Sequence, residues 1–226
     1  MKQTLFIGNC DKTDMMFYLA KLLSFEKKVL LVEVSHYRRY EYTYPKVDEA
    51  TLFHQHDNFD VLEQVSGHEQ MKKVIDPKDY DFILIDIDTP DALREWPVAN
   101  HYYLVTTFEN PVIQRNFKLM EAFFQEKSAS DLLPVNKIIL EASNAVNEEY
   151  LNDMMDKLPI DWRESIVYFP DERDINRKIL NQYSSKVNVK GLSGPYKSGL
   201  KLIVSQMLDV PVARIKSLWK LAERSR

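Results

Sequence analysis

Glycine is scarce in this chain. It has five in 226 residues, and Gly8 is the only one before Gly67. Loops that surround phosphates with backbone N–H groups depend on glycine, so the shortage argues against an ordinary one. Cysteine is scarcer still: Cys10 stands alone, no intramolecular disulfide can form, and the chain suits a reducing compartment, the cytoplasm. Long apolar runs are missing, since none reaches the roughly 18 residues of a membrane-spanning helix. The opening MKQTLFIGNC turns polar too early for a secretion signal. Surplus positive charge is missing as well. A net charge of −4 and a pI of about 5.8 give no support to bulk polyanion binding, and nucleic acid is not the expected partner. The G-x-S-x-G elbow of serine hydrolases is absent.

What is present is alternation. Thr4–Gly8, Lys28–Val34, Phe82–Asp86, Tyr102–Thr107, Lys137–Leu140 and Ser165–Phe169 are short and nearly all apolar, as strands buried on both faces of a parallel sheet read. Between them, Asp14–Phe25, Val112–Phe124, Asn147–Leu158 and Asp171–Asn181 carry apolar residues at helical spacing. Alternating strands and helices predict an α/β fold: a single domain whose mostly parallel sheet is flanked by helices on both faces. That domain is placed at residues 1–208. A basic amphipathic helix follows over 209–226. The segment Ser35–Phe59, aromatic and charged, reads as a surface excursion with a short edge hairpin, or as a partner-binding face rich in Tyr and Arg.

The first strand runs into FIGNCDKTD. Laid on the phosphate-loop pattern G-x-x-x-x-G-K-[ST], it puts Phe6 and Asp11 where glycines belong, while Lys12 and Thr13 match. Asp11 sets a carboxylate beside the expected phosphate, where like charges repel. The following helix still offers its N-terminal amides to an anion. YDFILIDIDTP then supplies an apolar strand ending in Asp86, the Walker B arrangement for holding Mg²⁺. The candidate nucleotide residues are therefore Gly8, Lys12, Thr13 and Asp86, with Thr13 and Asp86 as Mg²⁺ ligands if ATP binds. The competing reading is a plain strand–turn–helix with a capping aspartate.

In their order, IGNCDKT, KKVLLVEVS, YDFILIDIDTP, LVTTFENP and YFPDERDINRKILNQ resemble the motifs of the ParA/MinD family over about residues 2–208, including its pilus-localisation branch called TadZ or CpaE. The resemblance implies a P-loop NTPase-like fold, ATP with Mg²⁺, homodimers and protein partners. It also brings out departures. The family's dimer-activating lysine falls at Ile7, its switch aspartate at Glu33, and its adenine-reading asparagine near Glu141. The expectation is a degenerate member: a localisation or assembly scaffold acting through protein contacts, with weak or absent ATPase activity. Two alternatives stand beside it. One is an active positioning or partitioning ATPase, with water activated near Glu33 or Asp86. The other is a nucleic-acid binder using Arg38, Arg39 and the basic tail.

Three further groups were weighed. His54 and His56 read as solvated loop histidines, with a metal pair disfavoured because a strand was expected to turn them to opposite faces. Cys10 reads as a small loop residue whose pKa a helix N-terminus would lower. In Val212–Arg226, the residues Ile215, Leu218 and Trp219 share one helical face and Lys216, Lys220 and Arg224 another. This is either a helix docked on the domain or an interaction element for a partner or anionic lipid at the inner face of the membrane.

Overall fold

The computed structural model describes residues 1–48, 50–125 and 132–225. Glu49 of the excursion and Arg226 of the terminal segment lie outside them. The elements are β1 (Lys2–Ile7), α1 (Thr13–Leu23), β2 (Val29–Val34), β3 (Phe53–His56), β4 (Phe59–Leu62), α2 (His68–Val74), β5 (Phe82–Ile87), α3 (Pro90–Glu95), β6 (His101–Thr106), α4 (Asn110–Gln125), β7 (Leu133–Ile139), α5 (Glu148–Met154), β8 (Ile160–Val167), α6 (Glu172–Gln182), α7 (Gly194–Leu208) and α8 (Val212–Arg224). The strands form one sheet in the order β3-β4-β2-β5-β1-β6-β7-β8. Among the described residues, only the β3–β4 pair is antiparallel.

Strand periodicity sorts the core into two layers. Phe6, Leu31, Leu84 and Val105 pack with α1, α7 and α8 on one face. Leu5, Ile7, Leu30, Val32, Ile83, Ile85 and Leu104 pack with α2, α3, α4 and α5 on the other. The α/β expectation is met, with helices on both faces. β1 lies between β5 and β6, which leave it in opposite directions. That is the switch point where open parallel sheets bind ligands, at the strands' carboxyl ends. The loop carrying Lys12 sits there.

Several expectations change. The edge hairpin exists, but it is Phe53–Leu62, turning on Asp57 with φ 54°, and β4 joins the main sheet beside β2. The strand expected at Ser165–Phe169 begins at Ile160, and that at Lys137–Leu140 begins at Leu133. Their early halves are more polar than a central strand, and β8 is the sheet's edge. His54 and His56 are neither solvated nor on opposite faces. Residues two apart on a strand share a face, and both are buried. Among the described residues no cluster of His, Cys, Asp or Glu is arranged to hold a metal ion.

The terminal helix α8 belongs to the body. Ile215, Leu218, Trp219 and Ala222 are all buried in the layer formed with α1 and α7. Trp219 Nε1 donates to Glu223 Oε1 at 2.8 Å, and Lys197 pairs with the same oxygen at 3.0 Å. The apolar face proposed for interaction is thus covered, because a stripe of this size is stabilised by packing on the domain. Lys216, Lys220 and Arg224 remain exposed. No helix among the described residues is long and apolar enough to cross a membrane.

Candidate functional site

The candidate nucleotide residues converge, but on each other. Lys12, the residue before α1, has no exposure at all. Its Nζ lies 2.6 Å from Asp86 Oδ1, at the end of β5, and donates to the Gly8 carbonyl at 2.7 Å. The Lys12 and Asp86 side chains are 0% and 1% exposed. Asp86 Oδ2 accepts from the Tyr40 hydroxyl at 3.0 Å, and Tyr40 is itself fully buried. A cation meant for phosphate and a carboxylate meant for Mg²⁺ thus neutralise one another beneath a tyrosine from the excursion after β2. Burial pushes the Asp86 pKa up, and Lys12 pulls against it.

The loop backbone is committed in the same way. Gly8 N donates to Ile87 O at 3.0 Å, tying the loop to β5. A Cβ at Gly8 would stand 1.9 Å from the Val105 carbonyl oxygen, so only glycine allows β1 to pass β6 this closely. Asn9 N donates to Asn116 Oδ1 at 2.7 Å, and Asn116 Nδ2 donates to Val105 O at 3.0 Å. Thr13 N donates to Asp11 Oδ1 at 3.1 Å. Asp11 is therefore an anion at the start of α1, one position ahead of the N-cap Lys12, and bonds the first helical amide in an i→i+2 turn. Its other oxygen pairs with Lys178 of α6 at 2.6 Å. Burial raises the Asp11 pKa, but the charge and hydrogen bond of Lys178, helped by the Thr13 amide, outweigh it and hold the carboxyl at about 2.

Arg39 closes the outer side. Its guanidinium donates to Cys10 O at 2.5 Å, stands 3.9 Å from Asp88 and lies over the Tyr37 ring. It faces the loop. Asp88 accepts from Ser35 Oγ and His36 N, so it anchors the excursion. Cys10 corrects its expectation: burial pushes the thiol up to about 12, overriding the helix terminus. Ile7, at the lysine position of the family, ends β1 with no exposure. Glu141 lines a second cleft with Cys10, Arg39 and Glu109.

MgATP needs a free ammonium, loop amides aimed outward, and hydroxyl and carboxylate oxygens for the metal. Here the ammonium is paired, two amides are occupied by Asn116 and Asp11, and Asp86 is taken by Lys12 and Tyr40. In this arrangement the residues do not fit MgATP. One atom does fit: Thr13 Oγ1 is buried without a hydrogen-bond partner. Tyr40, Asn116 and Lys178 were not found from sequence. They lie 28, 104 and 166 positions from Lys12, and no motif links them.

Glu33 gives this cluster a pH signature. It is fully buried on β2 and accepts from Tyr40 N at 3.0 Å, while Oε2 has no partner. Burial, against the Tyr40 bond and with Asp86 and Glu63 adding, pushes its pKa up to about 7 from 4.5. The folded pKa exceeds the unfolded one. Stability from this group is therefore complete below pH 4.5 and is lost as pH rises through 7. Between pH 5 and 8 the chain should lose about 2–3 kcal/mol relative to Glu33→Gln. Urea titrations of both proteins at the two pH values measure this, and a constant difference would contradict it.

No protein-family model and no curated relative matches the sequence. Solved structures do resemble the fold. MinD of Aquifex aeolicus matches with a TM-score of 0.61 at 12% identity, over 93% of this chain and 98% of that one. The MinC:MinD complex of the same organism matches at 0.58 and 13%, over 93% and 97%. A plasmid partition protein of Borrelia burgdorferi bound to AMPPNP matches at 0.54 and 16%, over 92% and 100%. At such identities the likeness establishes the fold: the chain is built on the P-loop NTPase-like α/β framework of ParA/MinD-type proteins.

Proposed function

We propose that this chain is a ParA/MinD-like localisation or assembly scaffold that works through protein contacts and homodimerisation without a nucleotide cycle. The observation that carries the reading is the Lys12–Asp86 pair, 2.6 Å apart, buried and covered by Tyr40. Breaking it to admit ATP exposes two charges and displaces a fully buried ring. Asp11 already supplies the negative charge that a phosphate would bring to α1. Neighbours in fold include a protein solved as a complex with its partner and one bound to AMPPNP. The scaffold reading keeps the first property and drops the second. The degenerate loop also fits the pilus-localisation branch of the family.

A second reading, an active ATPase, is favoured by the unpartnered Thr13 hydroxyl, which a Mg²⁺ ion would satisfy. Sedimentation velocity with and without MgATP separates the two. A scaffold keeps one oligomeric state in both conditions and turns over ATP far below the roughly 10 per second of ordinary enzymes. Nucleotide-dependent pairing with turnover near that rate would establish the ATPase.

A further inference from the structure

A separate cleft adjoins the loop on its α6 side, where Asp11, Thr13 and Arg39 form part of the lining. It is about 250 Å³ and opens between α1, the excursion after β2, and the C-terminal end of α6. This is smaller than the usual drug-sized pocket, and it suits one ring with a short polar tail. One wall is aromatic and rigid. Phe17 meets Tyr40, Tyr44, His56 and Phe59 at centroid distances of 5.2 to 5.8 Å. Val187, also buried, faces the same space.

The mouth carries charge in balance, with Asp11 and Asp14 against Arg39 and Lys178. Lys178 Nζ is 2.6 Å from Asp11 but 4.0 Å from Asp14 Oδ1, while Asp14 Oδ2 accepts from Tyr196 at 2.9 Å. The buried His56 adds no charge at neutral pH, since burial lowers its pKa to about 4. Two carboxylates repel a polyanion, and two cations repel a polycation. A ligand with one charge of each sign joins these existing pairs without net repulsion, and its ring has the Phe17 wall.

We propose that this cleft binds a small zwitterion with an aromatic side chain, of the class of the aromatic amino acids. The ring would lie against Phe17 and Val187, the ammonium toward Asp14, and the carboxylate toward Arg39 and Lys178. This goes beyond the scaffold reading, and the cleft shares Asp11 and Thr13 with the loop.

The test is calorimetric titration of the full chain with L-phenylalanine, phenylacetate, phenethylamine and L-alanine. Phenylalanine should bind, and the two single-charge analogues should bind at least about tenfold more weakly, which corresponds to 1.4 kcal/mol. Alanine should not bind. Val187→Trp and, at the half-buried rim, Gln182→Trp should each fill the cleft and abolish binding. The rim variant serves if the buried one fails to fold. Absence of phenylalanine binding to the unsubstituted chain would overturn the proposal. So would equal binding of phenylacetate or phenethylamine, or binding that survives in a folded Trp variant.

Discussion

Replacing Lys12 with methionine is expected to destabilise the folded chain by about 3–5 kcal/mol, the cost of leaving a buried charge unpaired. The Lys12 ammonium has no exposure and satisfies both Asp86 Oδ1 and the Gly8 carbonyl. Methionine fills similar space but removes the charge, leaving Asp86 with only the Tyr40 hydroxyl. A lysine waiting for phosphate in an open loop would behave differently, and its loss would change stability by about 0.5 kcal/mol or less. Asp86 can relieve the cost by taking up a proton, so the penalty should shrink toward acid pH. Adding Asp86→Asn to Lys12→Met should recover much of the loss, because the orphaned charge goes with it. Urea denaturation of the two single variants and the double variant gives the coupling directly. A Lys12→Met protein as stable as the parent at pH 7 would mean that the pair is not a structural element.

A chain ending at Pro211 should fail to fold cooperatively. Without α8 it loses the burial of Ile215, Leu218 and Trp219 and uncovers the faces of α1 and α7 against which they pack. Burying side chains of these kinds contributes about 1.5–3 kcal/mol each. Three together approach the whole stability of a typical domain, about 5–15 kcal/mol. A broad thermal transition and binding of a hydrophobic dye are expected from the truncated chain. A sharp transition at the parent temperature would show instead that α8 detaches freely, and would restore its apolar face as a lipid or partner anchor. With α8 docked, only the exposed flank of Lys216, Lys220 and Arg224 is left for an acidic partner.

Much of the fold was legible because its central strands are almost continuously apolar. TLFI, VLLVEV and FILIDI have one solution, a strand covered on both faces. The helices α1, α4 and α6 were found within two residues at each end, from apolar spacing. The hairpin of β3 and β4 was placed too early, although Asp57-Asn58 between Phe53 and Leu62 is a two-residue turn signal. Histidine at two alternate positions looked like a loop. His56 is buried among Tyr44, Phe17 and Phe59, and His54 meets the Tyr44 ring, so the two behave as aromatic core.

The site was legible in its parts and not in its connections. Lys12, Thr13 and Asp86 stand where the pattern put them, at the carboxyl edge of β1 and β5. Sequence assigned Lys12 and Asp86 separate duties toward a ligand. Geometry joins them, because β1 and β5 are neighbours in the sheet. From the sequence, Asp11 reads as a problem for phosphate. Its role as a built-in anion, held by Lys178, depends on α6 lying across the loop, which no local pattern encodes. Tyr40 had no signal beyond an aromatic-rich excursion.

On this reading the loop is closed by its own side chains. Titration calorimetry of the full chain with MgATP, at pH 7 and moderate salt, tests it most directly. No heat of binding is expected up to about 1 mM nucleotide, where an affinity worth about 4 kcal/mol would register. Asp11→Gly should bind more readily than the parent, since it removes a carboxylate from the start of α1. Saturable binding of MgATP to the unsubstituted chain near 1 μM, abolished by Lys12→Ala, would contradict the account.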